Sequence, residues 1–255
     1  MSHELTSYLD TAQVTLYLFW AFFAGLIYWL RKEDRREGYP LESDNPRLVG
    51  NASSLLIPTP KQFLLPEGGS YSAPSFERDV REVQARRTSK AAGAPLEPEG
   101  NPMLAGVGPG AYALRHDAPE LMRDGTPAVV PMRAAEQWSV YAGRDPRGMA
   151  LFAADGKQVG RVVDIWVDKA DAIARYLEIG LDGETESRRL VPIPMLLVDE
   201  EKGRVDVAAI HSHQFSDVPQ TAAPDTITLL EEEKISAYFA AGRLYADPKR
   251  LGPVV

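Results

Sequence analysis

Within WVDKADAIARYLE, Asp168 and Asp171 stand three residues apart and Arg175 follows four residues later. Two carboxylates that close, in a turn between strands, can share one polar pocket and repel each other. Repulsion raises one pKa toward neutrality, and the guanidinium of Arg175 pulls the other way. An acid poised in that range both takes up and releases a proton near neutral pH. On these residues alone, a solvated turn rich in charge is the commoner outcome of such spacing.

Other groupings hold reactive residue types. His211 and His213 form a His-x-His pair in AAIHSHQF. At strand spacing both rings face one side, but no third metal ligand is evident. Glu231, Glu232 and Glu233 form a triplet where a helix begins, and carboxylates there complement the helix dipole and complete a cap. The chain has no cysteine, which excludes disulfides, thiolate metal sites and cysteine nucleophiles. GxxxxGK(S/T), GxSxG, HExxH and GxGxxG are all absent, so nothing supports a free-standing enzyme. VGPGAY is Gly-rich but lacks the strand-then-helix context that cradles phosphate. A net charge of −8 over 255 residues argues against nucleic acid as a partner.

The elements that must position these residues begin with short strands. LFAADGKQVGRVVDIWVD reads as a hairpin turning at Asp155-Gly156. In GRVVDIWVD, Val163, Ile165 and Val167 point one way, while Val162, Asp164, Trp166 and Asp168 point the other. ARYLEIGL, RRLVPIPMLLV and RVDVAAI supply further strands, so residues 132–255 are predicted to form a small antiparallel barrel or sandwich. A C-terminal helix closes the region. Thr228 and Glu231 have capping-box spacing, Leu230, Lys234, Ile235, Tyr238 and Phe239 continue the turns, and Gly242 ends them.

Upstream, 13 of the 20 prolines fall between Pro40 and Pro131, and residues 32–131 hold no sustained helical or strand period. This stretch nevertheless keeps Leu55, Leu56, Ile57, Phe63, Leu64 and Leu65. It reads as extended chain laid against another surface rather than as a polar linker. Short edge strands are expected around residues 62–65, and an exposed excursion over residues 78–93.

Residues 12–31 are predicted to span a membrane. Ala12 to Leu30 are 19 residues without formal charge. They cover roughly 28 Å as a helix, and their large apolar side chains occupy every face. Tyr17, Trp20, Tyr28 and Trp29 suit the two interfaces. Arg31, Lys32, Arg35 and Arg36 follow at once, while no Lys or Arg precedes the run. That asymmetry places residues 1–11 outside and the rest on the cytoplasmic side, which the resemblance given below makes a periplasmic N-terminus. A cleaved signal peptide fits poorly, since the basic residues follow the apolar run instead of preceding it.

Seven pieces stand in order along nearly the whole chain. They are FWAFFAGLIYWLRKEDRREGYPLE, GNPMLAGVGPGAY, VVPMRAA, GRVVDIWVD, ARYLE, ITLLEEEKISAYFAAGRLYA and the terminal PKR. In these pieces the chain resembles the H subunit of the purple-bacterial photosynthetic reaction centre. GRVVDIWVD alone would indicate only the wider family of PRC-type β-barrel domains; REGYPLE together with LLEEEKxxAY is more selective.

The resemblance implies a single transmembrane helix, an extended segment over the cytoplasmic face of partner subunits, and a small PRC-type barrel with a C-terminal helix. Its implied partners are the L and M subunits, with membrane lipids and a core light-harvesting ring around them. Bacteriochlorophyll, bacteriopheophytin, quinones, non-haem iron and carotenoid are expected in L and M. This chain is expected to ligate no cofactor and no metal, in a photosynthetic inner membrane. Such a subunit stabilises the L/M core as a non-catalytic component, caps the cytoplasmic side of the secondary quinone site and helps conduct protons to the reduced quinone. The alternative is a membrane-anchored PRC-barrel adaptor assembling another membrane complex.

By the same resemblance Asp168 matches the acid ending the strand motif, Asp171 stands where the family usually places Glu, and Arg175 matches the neighbouring base. Asp171 is then expected to relay protons, tuned by Asp168 and Arg175. Some family members carry a His-x-His pair for proton uptake and metal binding just before the VVPM segment. Here that stretch reads ELMRDGTPAVVPM, without histidine, and Asp124 with Glu120 is the acid pair left to gather protons. Glu231, Glu232 and Glu233 are expected to be structural acids near the partner interface.

Overall fold

The computed structural model describes residues 10–39, 56–65, 68–75, 81–91, 93–183 and 188–251. Expectations for residues 1–9, for Pro40 to Glu42 of the REGYPLE motif, for Leu55, and for residues 78–80 and 92 lie outside the described residues. The chain divides into two compact units, Met1–Arg81 and Glu82–Val255.

The first unit opens with helix α1, Thr11–Glu33. Asp10 caps it by accepting from the Ala12 amide at 3.4 Å. At 1.5 Å per residue the helix is roughly 35 Å long, and none of its residues is buried. An apolar surface on all faces of an isolated helix is stable in lipid and not in water. The helix is long and apolar enough to cross a membrane. Arg31 and Lys32 lie in its last turn, where cations complement the dipole.

Arg36 does more than carry charge at the membrane exit. It forms a two-pronged pair with Glu33 and donates to the carbonyls of Thr59 and Ala73 at 3.0 and 2.9 Å. Lys61 reaches the same Glu33 at 3.0 Å. These contacts tie the helix end to a hairpin of β1 (Lys61–Leu64) and β2 (Ser70–Ala73). Arg35 lies over the Tyr39 ring, 5.1 Å from its centroid.

The second unit begins with a small antiparallel pair, β3 (Ala85–Arg87) and β4 (Leu96–Pro98). The exposed excursion expected over residues 78–93 is thus partly a strand. The main sheet has seven strands: β5 (Val129–Pro131), β6 (Ala150–Phe152), β7 (Gln158–Asp168), β8 (Ile173–Leu181), β9 (Arg188–Pro192), β10 (Leu196–Asp199) and β11 (Arg204–Val207). Their order is β10-β11-β6-β7-β8-β9, with β5 paired to the far end of β7. The sheet therefore draws its first strand from residues 129–131, just ahead of residue 132. Its two edge strands, β9 and β10, are joined by the single 3-10 turn Ile193–Met195, so the sheet curls back on itself. Every pairing is antiparallel except β11 with β6.

RRLVPIPMLLV is not one strand. Pro192 and Pro194 cannot donate to a ladder, and the chain breaks between β9 and β10 there. GRVVDIWVD does not keep the expected alternation along its whole length. Val163 is exposed while Ile165 and Val167 are buried, so the three do not share one environment. The β7–β8 register slips by one residue at Val163 and again at Arg175. Slips of this kind re-aim side chains.

Helix α2, Leu229–Tyr245, starts at the expected capping box. Thr228 Oγ1 accepts from the Glu231 amide at 3.1 Å, and Glu231 accepts from the Thr228 amide at 2.8 Å. Gly242 does not end the helix, which continues to Tyr245. It is the point of closest approach to the sheet side: a Cβ there would overlap Cγ2 of Ile210 and lie 3.0 Å from the Ala209 carbonyl. Ile235, Tyr238, Phe239 and Ala241 face a core built around Trp166, Leu151, Leu177, Ile179, Val191, Val205, Ile210 and Phe215. The Tyr238 hydroxyl donates to the Gln214 carbonyl at 2.7 Å, satisfying the one polar atom that this side chain brings inside.

Candidate functional site

Asp168 ends β7 and is 2% exposed. Its Oδ1 accepts from the amides of Ala170 and Asp171 at 2.8 and 3.2 Å, closing the turn in which Ala172 takes φ +57°. Asp168 is a turn-forming acid that is also buried. Asp171 is exposed, and only its backbone takes part in that turn. The two acids do not share a pocket. A side chain at the apex of a tight turn projects outward, while the residue that closes the turn stays against the sheet.

Arg175 sits at the register slip on β8, and its side chain bridges two buried acids instead. Its Nε lies 3.5 Å from Oδ2 of Asp168, and its Nη2 lies 3.7 Å from Oε2 of Glu232. Glu232 comes from the first turn of α2 and is 8% exposed. It lines a pocket of about 310 Å³ with Arg115, Arg175, Tyr176, Glu233 and Ser236. Oε1 of Glu232 and Nε of Arg175 are buried without a hydrogen-bond partner among the described residues.

Burial pushes the Glu232 carboxyl up, Arg175 and the Tyr176 hydroxyl pull it down, and Glu120 pushes it up again; the net direction is upward. Burial and the Glu232 charge also push the Tyr176 phenol up, so it stays protonated. Glu120 is exposed and reaches this electrostatic neighbourhood because its segment is stitched to the start of α2. The Leu229 and Leu230 amides donate to the carbonyls of Ala118 and His116, and Thr228 Oγ1 donates to Asp117 at 2.7 Å.

The glutamate triplet therefore divides into three tasks. Glu231 closes the cap and accepts from the Ala222 amide at 2.6 Å. Glu232 is the buried acid of the pocket. Glu233, at the rim, pairs with Arg115 at 3.7 Å. Asp124 does not join them. It accepts from the amide and hydroxyl of Thr126, and those bonds hold its carboxyl below the usual range.

A second buried network went unread in the sequence. Glu178, 2% exposed, accepts from Arg133, Arg188 and the Trp166 indole at 2.5, 2.7 and 2.9 Å. Asp164 accepts from the Arg133 amide and guanidinium at 3.1 and 3.2 Å. No buried side-chain atom of this network lacks a partner among the described residues, which marks a structural network rather than a reactive one. Its signal in the sequence was the lone acid inside each apolar strand, in VVDIWV and YLEIGL. His211 is no strand residue: it caps the 3-10 turn Ser212–Asp217, with its ring edge-on to His213 at 6.0 Å. No group of three or more metal-ligating side chains occurs among the described residues.

Compared with known families, residues 3–134 match the family model described as Photosynthetic reaction centre, H-chain N-terminal region. Residues 139–214 match that of the PRC-barrel domain.

Proposed function

Because the chain belongs to the photosynthetic reaction centre H-chain family, a family of structural subunits in a membrane-anchored complex, we propose that it caps the cytoplasmic side of the secondary quinone site and passes protons toward the reduced quinone. In this reading the partners are the L and M subunits, which carry the bacteriochlorophylls, bacteriopheophytins, quinones, non-haem iron and carotenoid. Membrane lipids surround α1, and a core light-harvesting ring encloses the whole. The N-terminus lies in the periplasm and the barrel in the cytoplasm, because the basic residues all follow the apolar helix.

The observation that carries the reading is Glu232, a buried carboxyl pushed upward beside a cation and a pocket. An acid in that position exchanges a proton closer to neutral pH than a surface carboxylate does. Arg175 limits the shift and links Glu232 to Asp168, whose backbone turn presents Asp171 at the surface. Asp171 then collects protons and Glu232 holds them inside, with Asp168 and Arg175 setting the electrostatics. Glu120 adds negative charge that acts on Glu232, and Asp124, at its own turn with Thr126, stays ionised and attracts cations to that segment.

The test is flash-induced reduction of the secondary quinone in the complex purified with this chain. Glu232→Gln should slow the proton-coupled step by about tenfold or more. A rate that matches wild type at every pH would overturn the role of Glu232. A purified complex without near-infrared bacteriochlorophyll absorption would overturn the partner assignment.

A further inference from the structure

A pocket of about 340 Å³ opens where the start of β6 meets β7, bordered by Arg144, Asp145, Arg147, Gly148, Arg161 and Gly203. Three guanidinium groups border it against one lining carboxylate, on a chain whose net charge is −8. Asp145 takes up one of the three: it accepts from Nε and Nη2 of Arg147 at 3.0 and 2.6 Å. Arg147 also lies 4.0 Å from the buried Asp164. Arg144 and Arg161 are held differently. Nη1 of Arg144 donates to the Glu200 carbonyl at 3.3 Å, and Nη1 of Arg161 donates to the Gly148 carbonyl at 3.1 Å.

A backbone carbonyl fixes a guanidinium in place without neutralising it. Two positive charges are thus oriented at one pocket with most of their donors uncommitted among the described residues. Gly203 makes room for one of them, since a Cβ there would lie 3.0 to 3.4 Å from the Arg144 guanidinium. One planar carboxylate satisfies one arginine fork, as Asp145 does for Arg147. Two further forks, brought from separate strands and turns, suit a group with more oxygens and more charge.

We propose that the pocket bordered by Arg144, Arg147 and Arg161 binds a phosphate-bearing anion, with Arg144 and Arg161 supplying the charge. The ligand is a phosphomonoester or free phosphate; a lipid headgroup and a soluble ion share that chemistry. This site involves none of the residues assigned above to proton transfer.

The experiment is calorimetric titration of the full chain in phosphate-free detergent micelles. The probes are inorganic phosphate, dihexanoyl phosphatidic acid and dihexanoyl phosphatidylcholine. Phosphate and phosphatidic acid should both bind, and Arg144→Gln/Arg161→Gln should weaken both by about tenfold or more. Phosphatidic acid binding more tightly than phosphate assigns a lipid headgroup, whereas equal affinity assigns the soluble ion. No binding of either probe, or binding unchanged in the double variant, overturns the proposal. Should the double variant lose its circular-dichroism signature, the single Arg144→Gln and Arg161→Gln variants each report the same loss.

Discussion

The guanidinium of Arg175 lies 3.7 Å from the Glu232 carboxylate, too far for a hydrogen bond yet close enough for strong attraction. Each contributes a buried atom, Nε and Oε1, without a hydrogen-bond partner among the described residues. Buried charge with part of its hydrogen-bonding capacity unmet is costly, and it is an arrangement in which protonation state responds to its surroundings.

Glu232 has a pKa raised in the folded protein, chiefly by burial. The stability it contributes is fully present below the unfolded carboxyl pKa and is lost as pH rises through the folded value. Glu232→Gln stays neutral throughout and escapes that loss. The melting temperature of the variant, relative to wild type, should therefore be higher at about pH 8 than at about pH 4. Parallel melting curves at both pH values would show that Glu232 titrates normally.

Removing the central cation should cost more than removing either end. Arg175→Met leaves Asp168 and Glu232 buried without it, and should destabilise by about 2 kcal/mol. That figure is below the value for a fully buried pair because Arg175 is a third exposed. Arg175→Lys keeps the charge and should recover part of the loss in urea denaturation.

Asp171→Asn gives the cleanest functional readout. The side chain is exposed and the turn uses only its backbone, so stability should change by less than about 0.5 kcal/mol. A slower proton-coupled quinone reduction in this variant would then report on proton supply alone. An unaltered rate across pH removes Asp171 from the route.

Gly242→Ala should reverse the usual rule for helices. Alanine normally stabilises a helix interior by about 1 kcal/mol over glycine. Here the added methyl would overlap Ile210 and crowd the Ala209 carbonyl, so a loss of about 2 kcal/mol is expected in thermal unfolding. A stabilised variant would mean that α2 can move off this contact.

Glu178→Ala should be among the most damaging single changes. It strips one acceptor from Arg133, Arg188 and the Trp166 indole together, at a side chain 2% exposed. A loss of about 1 to 3 kcal/mol follows, chiefly for the buried Trp166 indole N–H left without an acceptor, since Arg133 keeps Asp164 and Arg188 is half exposed. A much smaller loss would mean that water reaches these donors.

Local patterns were legible wherever a residue acts on its immediate neighbours. The uncharged run with basic residues after it marked α1, Thr228 and Glu231 marked the start of α2, and Asp155-Gly156 marked a turn. These signals work because capping, turn closure and burial in lipid involve residues within a few positions of one another. Proline likewise marked the irregular stretch, although it hid the strand Val129–Pro131 that pairs with β7.

The candidate site was only half legible. Asp168, Asp171 and Arg175 are close in sequence, and spacing suggested a shared pocket. One register slip, at Arg175, and one tight turn separated them, leaving Asp171 outside and aiming Arg175 at a helix more than fifty residues further on. Glu232 looked identical to its neighbours, because a run of three glutamates gives no sign of which one the helix will turn inward.

The sequence by itself determined that the chain carries a membrane-length apolar helix and a strand-rich region ending in a capped helix. It also determined the residue types available for proton exchange. Tertiary structure alone decided which acids are buried, which cation lies between them, and that Glu120 acts on Glu232 through a segment clamped to α2. The reason is the range of the forces involved. Propensity and capping act over a few residues along the chain, whereas a carboxyl pKa answers to every charge and every loss of solvent around it in space.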